Sequence, residues 1–362
     1  MPDLRRAAIE SAAKGIGTFS DEERDSPGEL PSFGASIPRS RRNADYSPLK
    51  SDDCFATALE VDIQVEGGTA SLRTYYTPPK VPIQDATVMI LHHGAGFGGL
   101  SFALMARQVT QLTNGELGLL AYDCRGHGRS SFPDSARNDM SLRNLRDDML
   151  CVVQSIFPDA ACRPSLLLVG NSMGGAVVVA AAHALEEQHI ARVSGVAMID
   201  IVEGTSLQLL PAMGDILQKW PVSFSSVEDA IRWHVESRTI RNAESARRSV
   251  PSLVRASGDR WDWQADVLAS EPFWKGWFTG LSSSFLKSRT ARLLILAETD
   301  NLDRELMIGQ MQGKYQLVVS PQAGHCVHED EPESTAATLV HFWRRNEKLR
   351  LPIPGLKRVG QS

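Results

Sequence analysis

This 362-residue chain lacks paired cysteines. Its five, at positions 54, 124, 151, 162 and 326, are odd in number, scattered, and never spaced as Cys-x-x-Cys. That argues against a disulfide frame or a zinc site and suits free thiols in a reducing compartment. It also lacks any apolar run approaching the ~20 residues needed to span a bilayer. The opening MPDLRRAAIESAAKG has no apolar core of a signal peptide. The expectation is therefore an intracellular protein with no membrane partner. An excess of positive charge is missing too: 38 Lys and Arg against 43 Asp and Glu leave a formal charge of -5, which argues against a nucleic-acid partner held through phosphates. Internal repeats are absent. What remains is ordinary for a globular protein, with 42% hydrophobic and 22% charged residues, and enough length to bury a full core.

Residues 1–45 are rich in Ser, Pro, Arg and Glu with little periodic hydrophobicity, and read as a mostly disordered tail. The cluster Arg39-Ser40-Arg41-Arg42 within it has the composition of a nuclear address, so the expected location is the cytoplasm with the nucleus as an alternative, although a solvated charge run is the plainer reading. From Leu59 the pattern changes. ALEVDIQV and ASLRTYYT alternate around Gly67-Gly68, predicting an antiparallel hairpin. Short apolar runs then follow at 87–93, 118–123, 166–170, 193–200, 292–298 and 315–320, separated by helical patterns near 102–113, 139–157, 174–187, 304–311 and 331–346. Apolar strands alternating with helices predict an α/β domain over 46–349, its mostly parallel central sheet covered by helices on both faces, with a tail at 350–362. Residues 201–290 break the alternation. They hold six of the seven tryptophans and no clear buried strand, and read as an insertion over the C-terminal edge of the sheet.

The chemistry begins at LLLVGNSMGGAVVVAAA, residues 166–182, where Ser172 stands between Gly170 and Gly174 after an apolar strand. Gly-x-Ser-x-Gly between a strand and a helix is the pattern of a nucleophile elbow, whose tight turn leaves no room for a Cβ on either glycine. It sets the serine at a helix N-terminus, where unpaired N–H groups favour developing negative charge. A nucleophilic serine needs an oxyanion hole. The N–H of Met173 is one candidate donor, and the loop His93-Gly94-Ala95-Gly96 supplies the other at Ala95, similar to the His-Gly-Gly-Gly loop of esterases. The neighbouring His92 and His93 point to opposite faces of a strand and lack a carboxylate pattern beside them, so no metal is expected.

The base should follow the last strand. There YQLVVSPQAGHCVHED offers His325, with His328 as competitor; His328 is expected to cap or lie on the surface of the turn before Glu329. Two places offer the acid: Asp300 and Asp303 after the next-to-last strand, and Asp200 at the end of VAMID. Both lie at the carboxyl edge of the sheet, and the residues alone leave the choice open. Asp123-Cys124-Arg125-Gly126-His127-Gly128 reads as a structural loop, with His127 outside the chemistry.

These segments resemble the protein phosphatase methylesterase family, a branch of the α/β hydrolases. The resemblance rests on GNSMGGA (170–176), IDIVEGT (199–205), SVEDAIRWHVES (226–237), IGQMQGKYQ (308–316) and PQAGHCVHEDEP (321–332), and spans most of residues 45–346. Ala95 departs from it, standing where the family has glycine, and no tryptophan precedes Phe55 in the segment around Tyr46-Ser47-Pro48. The resemblance implies an α/β-hydrolase fold, with Ser172 as nucleophile, Asp200 as acid and His325 as base. It implies demethylation of the C-terminal leucine methyl ester of the type 2A protein phosphatase catalytic subunit, with no metal or organic cofactor. A generic ester or thioester hydrolase on the same residues, and a non-catalytic binding scaffold, are the rival readings. The tryptophans of the insertion are expected to line a groove above Ser172 or to form its core.

Overall fold

The computed structural model describes residues 45–298 and 302–348. Apart from Asp45, which pairs with Arg247, the expected tails, the basic cluster at 39–42 and Asp300 lie outside these residues. Eight strands form one sheet: β1 (Thr57–Val65), β2 (Gly68–Thr77), β3 (Thr87–His92), β4 (Gly118–Tyr122), β5 (Ser165–Asn171), β6 (Val193–Ile199), β10 (Ala291–Leu296) and β11 (Gln316–Val319). Their spatial order is β1-β2-β4-β3-β5-β6-β10-β11. The β1–β2 hairpin is antiparallel and joins β4 antiparallel, and every pair from β4 to β11 is parallel.

The central strands are mostly apolar because helices cover both faces, so each strand has no wet side. In β3 all six residues are buried. Met89 and Leu91 face one way with Leu167 and Val169 of β5, and meet α1 (Ala103–Leu112) and α12 (Pro332–Lys348). Val88 and Ile90 face the other way with Leu168, and meet α3 (Leu142–Ile156), which follows the one-turn α2 (Asp134–Arg137), and α4 (Met173–Glu187). The two-residue period of the strands thus divides one run of hydrophobics into two cores. The hairpin has one wet face and alternates accordingly.

Between β6 and β10 the chain leaves the sheet. It forms α5 (Glu203–Leu217), α6 (Val227–Glu236), α7 (Ala243–Ser249), α8 (Glu271–Phe278) and α9 (Leu281–Lys287), with a second sheet of β7 (Ser223–Phe224), β9 (Arg260–Trp263) and β8 (Val254–Ser257). This small antiparallel sheet escapes sequence reading because its strands are two to four residues long and mostly not buried. Around it Phe224, Ala230, Ile231, Ile240 and Val250 make a third core, which also takes in Tyr46 and Phe97. Trp220, Trp233 and Trp263 interlock, with ring centroids 5.3 to 5.7 Å apart. Trp274 and Trp277 are buried in the main core.

Two backbone approaches shape the junction of β5 and α4. A Cβ on Gly174 would lie 2.2 Å from the His92 carbonyl oxygen and 2.7 Å from that of His93, and one on Gly170 would lie 2.1 Å from the Gly174 oxygen. All these neighbours are main chain and cannot swing aside. Gly174→Ala is therefore expected to lower the unfolding free energy by about 3 kcal/mol or more. Gly214 in α5 has nothing within 4 Å of the same position, so Gly214→Ala should raise it by about 0.5–1 kcal/mol. Urea unfolding of the two variants beside the parent chain measures both signs.

Candidate active site

Ser172 occupies the single residue between β5 and α4. It holds φ +53° and ψ −122°, a conformation that costs an L-residue on the order of 1–3 kcal/mol and persists only where the surroundings enforce it. Its N–H donates to Ile199 O at 3.0 Å, and its carbonyl accepts from Gly175 N–H at 2.8 Å. The turn is thereby pinned to the end of β6 on one side and to α4 on the other.

Asp200 follows β6 directly and is also left-handed, with φ +49°. Its N–H donates to Ile295 O at 2.7 Å. Carboxylate oxygen Oδ1 accepts from Ala297 N–H at 3.0 Å, and Oδ2 lies 2.8 Å from His325 Nδ1. The contact assigns the proton to Nδ1 and leaves Nε2 as the basic nitrogen. Asp200 is 1% exposed at its side chain and His325 42%, so a buried acceptor orients a ring that opens to the substrate side. Ser172 and His325 line the same cavity. Among the described residues no hydrogen bond joins Ser172 Oγ to the ring.

The loop carrying His325 is tied down by polar contacts. Gly324 N–H donates to Asp330 Oδ2 at 2.7 Å, and Arg241 of the insertion donates its N–H to Asp330 Oδ1 at 2.6 Å and its Nη1 to Gln322 O at 2.6 Å. Asp303 caps α10 (Arg304–Met311) by accepting from Leu306 N–H at 3.0 Å. The expectation of an exposed or capping His328 is corrected. It lies in the one-turn helix α11 (Val327–Asp330), fully buried, its ring stacked on Phe102 at 4.3 Å, and burial pulls its imidazole down to about 3. Alternation of side chains could not reveal this, because α11 is a single turn wedged under α1.

The loop after β3 brings Ala95 to the cavity beside Met173. Neither N–H is engaged by a backbone carbonyl among the described residues. Alanine is unstrained here, since the left-handed residue of the loop is its neighbour Gly96, with φ +82°. Two imidazoles brace this loop. Gly96 N–H donates to His127 Nε2 at 2.8 Å while His127 Nδ1 reaches Arg125 O at 2.9 Å. Cys124 N–H donates to His93 Nε2 at 3.0 Å while His93 Nδ1 reaches Gly94 O at 2.8 Å. In both rings Nδ1 donates and Nε2 accepts, so both are neutral. Arg125 in turn is held by Asp148 through two contacts of 2.7 and 2.6 Å and stacks over Phe132. The 123–128 loop is thus scaffold to the site, a role its motif suggested in outline without naming the bonds.

The cavity itself has a volume of about 170 Å³. Leu209, Leu210 and Met213 of α5 enclose it with Val267, Trp274, Trp277 and Phe278. The indole N–H groups point away to Ser270 Oγ and Met140 O, at 2.8 and 2.7 Å, so the rings offer only carbon to the interior. A wider groove of about 950 Å³ adjoins it, sharing Val267 and bounded by His127, Arg137, Trp220, Val222 and Arg255. Of the tryptophans expected to line a groove or form the core of the insertion, Trp274 and Trp277 line the cavity, Trp220 and Trp263 the adjoining groove, and Trp233 and Trp261 pack on the insertion core. Sequence reading missed Leu209, Leu210 and Met213, whose helix gave no strong one-sided pattern to read.

Burial pulls the His127 imidazole down to about 4 from an ordinary 6.5. Below pH 6.5 the unfolded chain takes up a proton here that the folded chain refuses. The stability this residue adds is complete above about pH 6.5 and is lost as the pH falls toward 4. His127→Gln keeps an oxygen for the Gly96 N–H and removes the titration. Between pH 7 and 5 the variant's unfolding free energy should fall less steeply than the parent's, by up to about 1.4 kcal/mol per pH unit. Equal slopes in urea titrations would mean that the ring protonates alike in both states.

A model of the alpha/beta hydrolase family matches residues 89–338. The chain is similar to protein phosphatase methylesterase 1 of Cryptococcus neoformans var. neoformans serotype D, with 41% identity over 390 residues covering 94% of this chain and 92% of that protein. It is 43% identical to protein phosphatase methylesterase 1 of Gibberella zeae over 307 residues, covering 83% and 76%. In fold it is similar to the solved structure of E-2-(acetamidomethylene)succinate hydrolase, with a TM-score of 0.62 at 19% identity over 79% of this chain and 99% of that one. The hydrolase sheet, the strained serine turn and these relatives agree: the chain belongs to the protein phosphatase methylesterase family and is an esterase on the α/β-hydrolase fold.

Proposed function

We propose that the chain removes the methyl ester from the C-terminal leucine of the type 2A protein phosphatase catalytic subunit, with Ser172 as nucleophile, His325 as base, Asp200 as acid, and the N–H groups of Ala95 and Met173 as oxyanion hole. The observation that carries this reading is the 2.8 Å contact of His325 Nδ1 with Asp200 Oδ2, beside a strained serine that opens onto the same apolar cavity. His325 Nε2 takes the Ser172 proton as Oγ bonds to the ester carbonyl carbon. Asp200 holds the ring in the working tautomer and stabilises the imidazolium. The carbonyl oxygen becomes an oxyanion facing two N–H groups, each donor of this kind typically contributing about 3–4 kcal/mol to the transition state. Collapse breaks the bond to methoxide, which leaves as methanol with the proton from His325. Water, deprotonated by the same nitrogen, then hydrolyses the acyl-serine to the free carboxylate. The sequence of steps calls on no cofactor.

Substrate selection follows from the cavity. Its carbon lining suits a branched aliphatic side chain, and burying leucine there is worth roughly 2–3 kcal/mol. That is too little for terminus-specific recognition, so the remainder must come from contacts outside the cavity, with the adjoining groove and the insertion as the material for them.

The deciding experiment is demethylation of the carboxymethylated phosphatase subunit, read as methanol release. Ser172→Ala should lose about 10⁶-fold in turnover and no longer react with a fluorophosphonate probe, and Asp200→Asn should lose about 10⁴-fold. Near-normal turnover by Ser172→Ala would remove the hydrolase reading, and a crippled Asp300→Asn beside an active Asp200→Asn would move the acid to the neighbouring strand. The intact phosphatase should also be demethylated much faster than a free peptide bearing the same methylated terminus. Equal kcat/KM on the two would leave a simple peptide esterase, and hydrolysis of short esters without demethylation a generic one.

A further inference from the structure

Asn171 stands immediately before Ser172 and is 1% exposed. Its Nδ2 donates to Ile199 O at 3.2 Å and to His325 O at 3.1 Å. Both partners are carbonyl oxygens, so the orientation of the amide is not in question: only its NH₂ end can face them. Ile199 is the last residue of β6, directly before Asp200. One carboxamide, itself next to the nucleophile, therefore binds the chain at the acid, 28 residues on, and at the base, 154 residues on.

The two bonds are not equivalent. Ile199 O also accepts from Ser172 N–H at 3.0 Å and keeps that donor whatever stands at 171. Among the described residues Asn171 is the donor that His325 O has. The effect of the amide is thus concentrated on the peptide that follows the base. On the other side of the base, Gly324 N–H is held by Asp330 Oδ2 at 2.7 Å. The His325 backbone is suspended between these two anchors, and its ring is aimed by Asp200. Asp330 fixes the loop to the insertion side, whereas Asn171 fixes it to the strand that carries the nucleophile.

We infer that Asn171 is a positioning residue for the esterase reaction, holding His325 at its working distance from Ser172. This inference rests on the proposed roles of those two residues. It concerns the rate of the chemical step and leaves substrate binding alone, because Asn171 does not line the cavity.

The test is hydrolysis of p-nitrophenyl acetate, with kcat and KM measured separately and thermal unfolding followed in parallel. Asn171→Leu keeps the size and removes the donor. Its kcat should fall about 100-fold, the usual scale for a small displacement of a reacting group, with KM unchanged within about twofold. Asn171→His carries Nδ1–H as many bonds from Cβ as the lost Nδ2, and one donor suffices because Ile199 O keeps its own, so this variant should recover most of the rate. A wild-type kcat in Asn171→Leu overturns the inference, as does a folded Asn171→His that is as slow as Asn171→Leu. If Asn171→Leu does not fold, Asn171→Ser, which lacks the reach and leaves room for water, must show the same split between kcat and KM, and normal turnover there is equally fatal. Ser172→Ala in the same assay separates the two levels: its retained activity would end the hydrolase reading, whereas its inactivity beside normal Asn171 variants ends only this one.

Discussion

At Gly174 the turn after β5 runs so close to the end of β3 that a Cβ would stand 2.2 Å from a carbonyl oxygen, and the other parts of the site take their places from that contact. Because α4 starts against β3, the residue before it must bridge the gap in a left-handed conformation, and Ser172 does so at φ +53°. The same contact places the loop after β3 beside the serine, with Ala95 and Met173 opening onto one cavity. Parallel strands ending at one edge then bring Asp200 alongside from the next strand over. The geometry is a property of backbone packing, which is why two carbonyl groups and two glycines matter as much as the side chains that do the chemistry.

The insertion acts differently. It contributes carbon to the cavity and polar anchors to the loop of the base, through Arg241. An apolar surround strengthens the charge–dipole interactions within it by excluding water, so the helix carrying Leu209, Leu210 and Met213 shapes both recognition and the electrostatics around Ser172. Trp220, Trp233 and Trp263 interlock within this layer, and two of them line the groove beside the cavity.

Much of this was legible in the sequence, for reasons that differ by element. The parallel sheet was readable because its strands are buried on both faces and so appear as unbroken apolar runs such as TVMILH. Gly170-x-Ser172-x-Gly174 was readable because the close approach tolerates only glycine. The choice of acid was not: Asp200, Asp300 and Asp303 all follow strands of the same kind, and only the resemblance distinguished them. The small sheet of the insertion was hidden because strands of two to four residues carry no periodicity. His328 was misjudged because burial of a one-turn helix depends on what packs over it, here Phe102, which lies far away in the chain. The bonds made by the Asn171 amide and the His127 imidazole were likewise invisible, since their partners are main-chain atoms that any residue could supply.

Strand β11 is four residues long, sits at the open margin of the sheet and is only partly buried. Short edge strands offer other chains little template for pairing, which protects a protein from assembling with itself. They are also among the first pieces of a sheet to fray, because they have a partner on one side alone. His325 hangs from the loop that leaves this strand, while Ser172 and Asp200 grow from strands in the interior. The nucleophile and its acid therefore stand on strands paired on both sides, and the base on a loop leaving a strand paired on one side alone. The base thus owes its place to the polar anchors of its own loop, Asp330 and Asn171, and not to the pairing of β11.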